Sequence, residues 1–170
     1  MSIGLKRGTV KLQPYNEQWP VEYEREKALL LGFAGDVIAR IEHIGSTSVP
    51  GLKAKPVIDI GIEVESENAL TQFVALLPSD QYEYFGERDI VGDYFFAKGH
   101  ESSRTHYLHV SLQGSPRLAN YLKFKQALID SALLQQQYGA IKEYLAENHV
   151  SDRKRYTQLK GQLISKVLAN

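Results

Sequence analysis

Between positions 43 and 59 the chain carries an imidazole, a Gly-Ser-Thr-Ser bend, two lysines and one carboxylate, in the order His43-Ile44-Gly45-Ser46-Thr47-Ser48-Val49-Pro50-Gly51-Leu52-Lys53-Ala54-Lys55-Pro56-Val57-Ile58-Asp59. These residue types suit phosphate chemistry. Glycine lets a ligand approach the backbone, free N–H groups and hydroxyls donate to phosphate oxygens, and lysine adds charge. A carboxylate on a neighbouring strand can hold a divalent cation that bridges the same oxygens. The bend alone is also ordinary turn chemistry, in which Ser46, Thr47 and Ser48 cap local backbone groups and Asp59 pairs with a lysine.

For these groups to meet, the bend must join two strands. Residues 37–44 are rich in β-branched side chains and alternate in their second half, which predicts a strand ending at Gly45. Residues 56–64 predict the return strand, apolar on one face and presenting Asp59, Gly61 and Glu63 on the other. A helix over 17–31, capped by Asn16 and ended by Gly32 and Gly35, precedes the pair, and a helix capped by Ser66 runs to Leu77 and is closed by Pro78. Two or three strands follow, near 82–85, 93–98 and 105–112. On the last of these, His106 and His109 are three apart and point to opposite faces, so at most one joins Asp59. The aromatic cluster Tyr82, Tyr84, Phe85, Tyr94, Phe95 and Phe96 could stack a base or fill the core.

From Ser115-Pro116 onward the spacing predicts helices over 116–129, 133–148 and 152–168, the last capped by Ser151. Strands with a crossover helix, then a helical tail, predict an α+β domain of α/β two-layer type. It spans residues 1–170 as a single unit, with the C-terminal helical segment at about 115–170.

At 170 residues, with 43% hydrophobic and 24% charged, the chain is expected to bury a core of its own. Twenty basic side chains balance twenty acidic ones, so no long-range field gathers nucleic acid non-specifically or holds the chain on an anionic membrane. Without cysteine there is no thiol nucleophile and no Cys-based zinc site. No apolar run reaches the roughly 18 residues of a membrane span and no signal-peptide pattern opens the chain, so a soluble, cytoplasmic protein is expected.

The run His43 to Ile60 resembles the signature of the GrpB family of the nucleotidyltransferase superfamily, close to H-I-G-S-T-S/A-V-P-G-L-x-A-K-P-x-I-D-I, with every fixed position present. The likeness continues in Tyr15 and Trp19, in Phe96-Ala97-Lys98-Gly99, in Arg104-Thr105-His106-Tyr107-Leu108-His109-Val110, and in Tyr156 with Lys160. That family is also found as a module on some dephospho-coenzyme A kinases. The resemblance implies a nucleotidyltransferase-like mixed sheet with helices on one face and a C-terminal helical segment. It implies that Gly45 and Ser46 face a nucleotide or other phosphorylated ligand, with Thr47, Ser48, Lys55 and Lys160 as further phosphate contacts. Asp59 would be the first carboxylate for Mg²⁺ or Mn²⁺.

Departures from the superfamily's pattern keep the activity open. Nucleotidyl transfer there uses two metals on an Asp-x-Asp pair and a third carboxylate from a later strand. Here the second position of the pair is Gly61, and the later strand carries His106 and His109. Where the family often has Phe-Arg-Asp, this chain reads Phe124-Lys125-Gln126. Three readings stand side by side: a metal-dependent enzyme in which Asp59 and His109 are catalytic and Asp59 with His109 or His43 holds the cation, a module that binds a phosphorylated ligand without turnover, and a structural or protein-interaction role.

Overall fold

The computed structural model of the chain describes residues 3–88, 90–148 and 153–169. Ser151, expected to cap the last helix, and the side chain of Tyr156 lie outside the described residues.

Five strands form one mixed sheet: β1 (Ile38–Ile44), β2 (Ile58–Val64), β3 (Tyr82–Glu87), β4 (Tyr94–Lys98) and β5 (His106–Leu112), in the order β1-β2-β5-β4-β3. β2 and β5 pair in parallel and the other three pairs are antiparallel. Placing β5 beside β2 puts residues from distant parts of the chain in register, including Asp59 with Tyr107 and Gly61 with His109.

Two helices cover one face. Helix α1 (Gln18–Ala34) buries Trp19, Tyr23, Glu26, Leu30 and Ala34, one stripe at helical spacing. Asn16 accepts a hydrogen bond from the Gln18 N–H at 2.9 Å, as expected of a residue opening a helix. The helix passes Gly32, which the sequence reading placed at its end. A Cβ there would meet open space, so this glycine sits on the outer face, where it costs only about 1 kcal/mol against a 17-residue helix. Helix α2 (Glu67–Leu76) is capped by Ser66, whose hydroxyl accepts from the Ala69 N–H, and contributes Leu70 and Phe73. These side chains meet Ile58, Ile60 and Ile62 of β2 and Leu108 and Val110 of β5 in one core. Within it Glu26, almost fully buried, accepts hydrogen bonds from Tyr82 and Lys98, with His106 4.0 Å away.

The C-terminal segment folds as α3 (Arg117–Asp130), α4 (Ala132–Asn148) and α5 (Arg153–Leu168). α3 lies on the opposite sheet face, where Leu118 packs over Gly61. A separate apolar cluster joins Val49 and Leu52, just after the bend, to Leu128 and Tyr138, with Phe124, Leu134, Leu163 and Ile164 around them. The helical segment therefore clamps the loop that follows the bend. Among the described residues no helix is long and apolar enough to cross a membrane.

Candidate functional site

The bend takes its shape from Gly45, at φ 72° and ψ −174°, a conformation that L side chains rarely adopt. A Cβ added there would lie 2.8 Å from Oδ2 of Asp59, so the missing side chain is what lets the bend rest on the carboxylate. Ser48 is not turned to a ligand; its hydroxyl donates to the Gly45 carbonyl at 2.6 Å and closes the bend from within. Thr47 hydrogen-bonds His43 at 2.9 Å.

His43 does not join Asp59. In the β1–β2 register His43 faces Ile60 and Ile44 faces Asp59, which sends the imidazole to the α1 face. There it stacks on Tyr23 with ring centroids 4.8 Å apart. Burial, helped by the nearby charge of Lys125, holds it down at about 4, a neutral ring in the interior. The expectation that His43 serves as a ligand beside Asp59 is corrected on this ground: the two side chains leave the sheet on opposite faces.

His109 is the histidine that meets Asp59. Its Nε2 is 3.2 Å from Asp59 Oδ1 and its Nδ1 is 3.1 Å from Asp93 Oδ2, and Tyr121 of α3 donates to the same Asp93 oxygen at 2.8 Å. Burial disfavours the charged ring, but hydrogen bonds and charge from the two carboxylates outweigh it and lift His109 to about 9. At neutral pH it is an imidazolium donating in both directions. Asp93 is pushed up by burial, yet its bonds to His109 and Tyr121, with the charge of Arg117, bring it below the ordinary carboxylate range. Tyr121 is half-buried beside Asp93, and desolvation with the Asp93 carboxylate raises it well above an ordinary phenol.

Asp59 and His109 open into a cleft of about 210 Å³ between the sheet and the C-terminal helices. Ser46, Thr47 and Lys55 line one side, Lys142 of α4 and Lys160 of α5 another, and Arg88, Phe95 and Tyr107 the floor beyond His109. The Arg88 guanidinium lies 4.7 Å from the centre of the Phe95 ring, so these residues form one stacked wall. Ser46, Thr47, Lys55, Asp59, His109 and Lys160 are thus brought together on the cleft, whereas Gly45 and Ser48 of the same bend do not line it. A roomier groove of about 540 Å³ runs past Asp80, Glu83, Lys98 and Arg104, away from this chemistry and with both signs of charge on its walls.

Asp93, Tyr121, Arg88 and Lys142 escaped the sequence reading. Tyr121 was recoverable, because Leu118, Tyr121 and Leu128 recur on the face that α3 buries or half-buries. Lys142 was too, since it stands in the buried stripe of α4 between Tyr138 and Leu145. Asp93 and Arg88 lie at the ends of β4 and β3 and carried no local signal.

The two-metal arrangement of the superfamily does not fit these residues. The space for a second carboxylate on β2 is filled: a Cβ on Gly61 would lie 2.5 Å from Leu118 Cδ1 and 3.2 Å from Ile44 Cγ2. The place on β5 belongs to His109, whose two nitrogens are both engaged by carboxylates. Among the described residues no three His, Asp or Glu side chains are arranged to hold a metal. As arranged, Asp59 and His109 form an ion pair.

Comparison with known proteins agrees with this architecture. The chain is 31% identical over 170 residues to the glutamate-rich protein GrpB of Alkalihalophilus pseudofirmus, covering 98% of each. It is 37% identical over 155 residues to the UPF0157 protein YqkA of Bacillus subtilis, of which it spans only 45%. Among solved structures, the conserved protein GrpB from Enterococcus faecalis superposes with a TM-score of 0.84 at 29% identity, over 94% of this chain and 95% of that one. The MgGTP-bound Cid1 poly(U) polymerase shares the fold at a TM-score of 0.51 and 14% identity, over 79% of this chain and 44% of that one. The fold is therefore nucleotidyltransferase-like, and the match of residues 9–170 to the GrpB protein family shows that the chain belongs to that family.

Proposed function

We propose that this chain binds a nucleotide or another phosphorylated small molecule in the cleft between the bend and the C-terminal helices. The observation that carries the reading is the convergence of Lys55, Arg88, Lys142 and Lys160, with the hydroxyls of Ser46 and Thr47, on a cleft whose lining includes the single carboxylate Asp59. That carboxylate is itself neutralised by the His109 imidazolium. Such a basin attracts a multiply charged anion and offers it donors at several angles. Phosphate charge is met here by fixed side chains, where the superfamily's enzymes use a metal pair.

Nucleotidyl transfer is a second reading, favoured by Asp59, whose side chain is 31% exposed at the cleft. A carboxylate so placed can accept the proton of an attacking hydroxyl while His109 orients it.

The test is calorimetric titration of ATP, CTP, GTP and UTP into the protein with Mg²⁺, with Mn²⁺ and with a chelator. Binding that survives the chelator and weakens tenfold or more in Lys160→Met supports the first reading. No binding of any of the four under any condition defeats it. Pyrophosphate release that needs a divalent cation and disappears in Asp59→Ala would move the second reading ahead.

A further inference from the structure

Lys142 sits where an apolar residue belongs. It shares the buried stripe of α4 with Tyr138 and Leu145 and is 2% exposed, yet it lines the cleft. Its Nζ donates to the Lys53 carbonyl and lies 5.1 Å from the centre of the Tyr138 ring. An ammonium has three N–H donors, and among the described residues that carbonyl is its one acceptor. The acids that could pair with it are engaged elsewhere, Glu143 with Lys53 and Asp59 with His109.

The groups facing this amine are Tyr138 and Glu143 on α4, Lys160 on α5, Lys53 and Lys55 on the loop before β2, and Asp59 on β2. Burial dominates, Lys160 and Lys55 add repulsion, and Glu143 and Asp59 oppose them only in part, which brings the amine down to about 6. Near pH 7.5 this amine is thus largely uncharged.

We propose that Lys142 is a charge-sensing ligand for phosphate: a dianion entering the cleft supplies the acceptors and the negative charge that the buried amine lacks, and the amine takes up a proton as the ligand binds. The inference rests on the reading of the cleft as a site for a phosphorylated ligand. The added proton appears on nitrogen, comes from solvent, and leaves again on release of the ligand. It follows that a terminal phosphate or another compact dianion is preferred to a phosphodiester, which carries one charge. Affinity for a dianion that does not itself titrate rises as pH falls from about 8.5 towards 6, since the proton acts as a second ligand.

The experiment uses sulfate, dianionic throughout this range, and ATP with a chelator, each titrated calorimetrically into the full chain at pH 7.5 in HEPES and in Tris. Because the two buffers differ in ionisation enthalpy, the difference in heat reports protons exchanged. The expected result is uptake approaching one proton per sulfate bound. Lys142→Arg, charged before binding, loses the uptake, and its affinity for sulfate no longer rises as pH falls from about 8.5 towards 6. Lys142→Met loses the uptake and binds at least tenfold more weakly. Sulfate or ATP binding to the unaltered protein with no proton exchange overturns this inference and leaves the phosphate site standing, as does uptake that persists in Lys142→Arg. Failure of the unaltered protein to bind either probe overturns this inference, and the phosphate site falls with it only when none of the four nucleotides binds under any condition.

Discussion

Leu118 of α3 occupies the space that a side chain at Gly61 would need, its Cδ1 lying 2.5 Å from where a Cβ would be. Gly61 stands two residues after Asp59 on the same face of β2, so this contact decides how many carboxylates that strand can present. Where a second acid would help hold a metal pair, the chain has a helix docked on bare backbone.

Restoring an acid there should therefore damage the fold without creating a metal centre. Gly61→Asp forces a carboxylate against Leu118 and Ile44, and it should lower the unfolding free energy by about 2–4 kcal/mol, the cost of an unpaired buried polar group plus overpacking. Urea denaturation measures the loss. Titration with Mn²⁺ should show no new site, and a gain of tight Mn²⁺ binding in a variant of unchanged stability would contradict this account of α3.

Gly45→Ala combines two faults, a side chain at φ 72° and a Cβ 2.8 Å from Asp59 Oδ2. A loss of about 1–3 kcal/mol is expected from strain of this kind. Because the clash falls on Asp59, the His109 resonances should move as well. A variant as stable as the parent, with His109 unchanged in the NMR spectrum, would show that the bend does not rest on the carboxylate.

His109 owes its elevation to two carboxylates, so Asp59→Asn and Asp93→Asn should each lower its titration midpoint from about 9, as followed by NMR. The sign of its effect on stability follows. With a folded value of about 9 against the ordinary 6.5, its contribution is complete below about 6.5 and fades as pH rises through 9. The difference in unfolding free energy between the parent and His109→Gln should shrink across that interval. A difference that stays level from pH 6 to 10 would mean that the ring is not an imidazolium in the folded protein.

Lys142 acts in the opposite sense. Its folded value of about 6 lies below the ordinary 10.5, so the unliganded protein carries the full cost of the buried amine below pH 6 and recovers stability as pH rises towards 10.5. Lys142→Met should stabilise the unliganded chain by about 2–4 kcal/mol at pH 7, where folding must hold the amine deprotonated well below its ordinary range. The advantage should nearly vanish by pH 10.5. A variant that is less stable than the parent at pH 7 would place the amine in a satisfied structural role.

The alternation of residues 56–64 was enough to set Asp59, Gly61 and Glu63 on one face, and the spacing of His106 and His109 was enough to send them apart. The Ser66 cap and the order of strands and helices were equally legible, because capping and periodicity are set by near neighbours. The ends of elements were less so: β2 begins at Ile58, after Pro56 and Val57, and α1 runs past Gly32 because its buried stripe continues to Ala34.

Local sequence determined the strands, the bend and the run of residues that places this chain in its family, since each depends on dihedral preferences and on contacts a few residues apart. Tertiary structure alone decided what surrounds Asp59. The parallel pairing of β2 with β5 brought in His109, fifty positions away. The register of β1 turned His43 aside, and the docking of α3 and α4 delivered Tyr121, Leu118 and Lys142. Those choices are made by burial of the common core, which rewards apolar area wherever it lies in the chain and leaves no trace in the spacing of the polar residues it carries along.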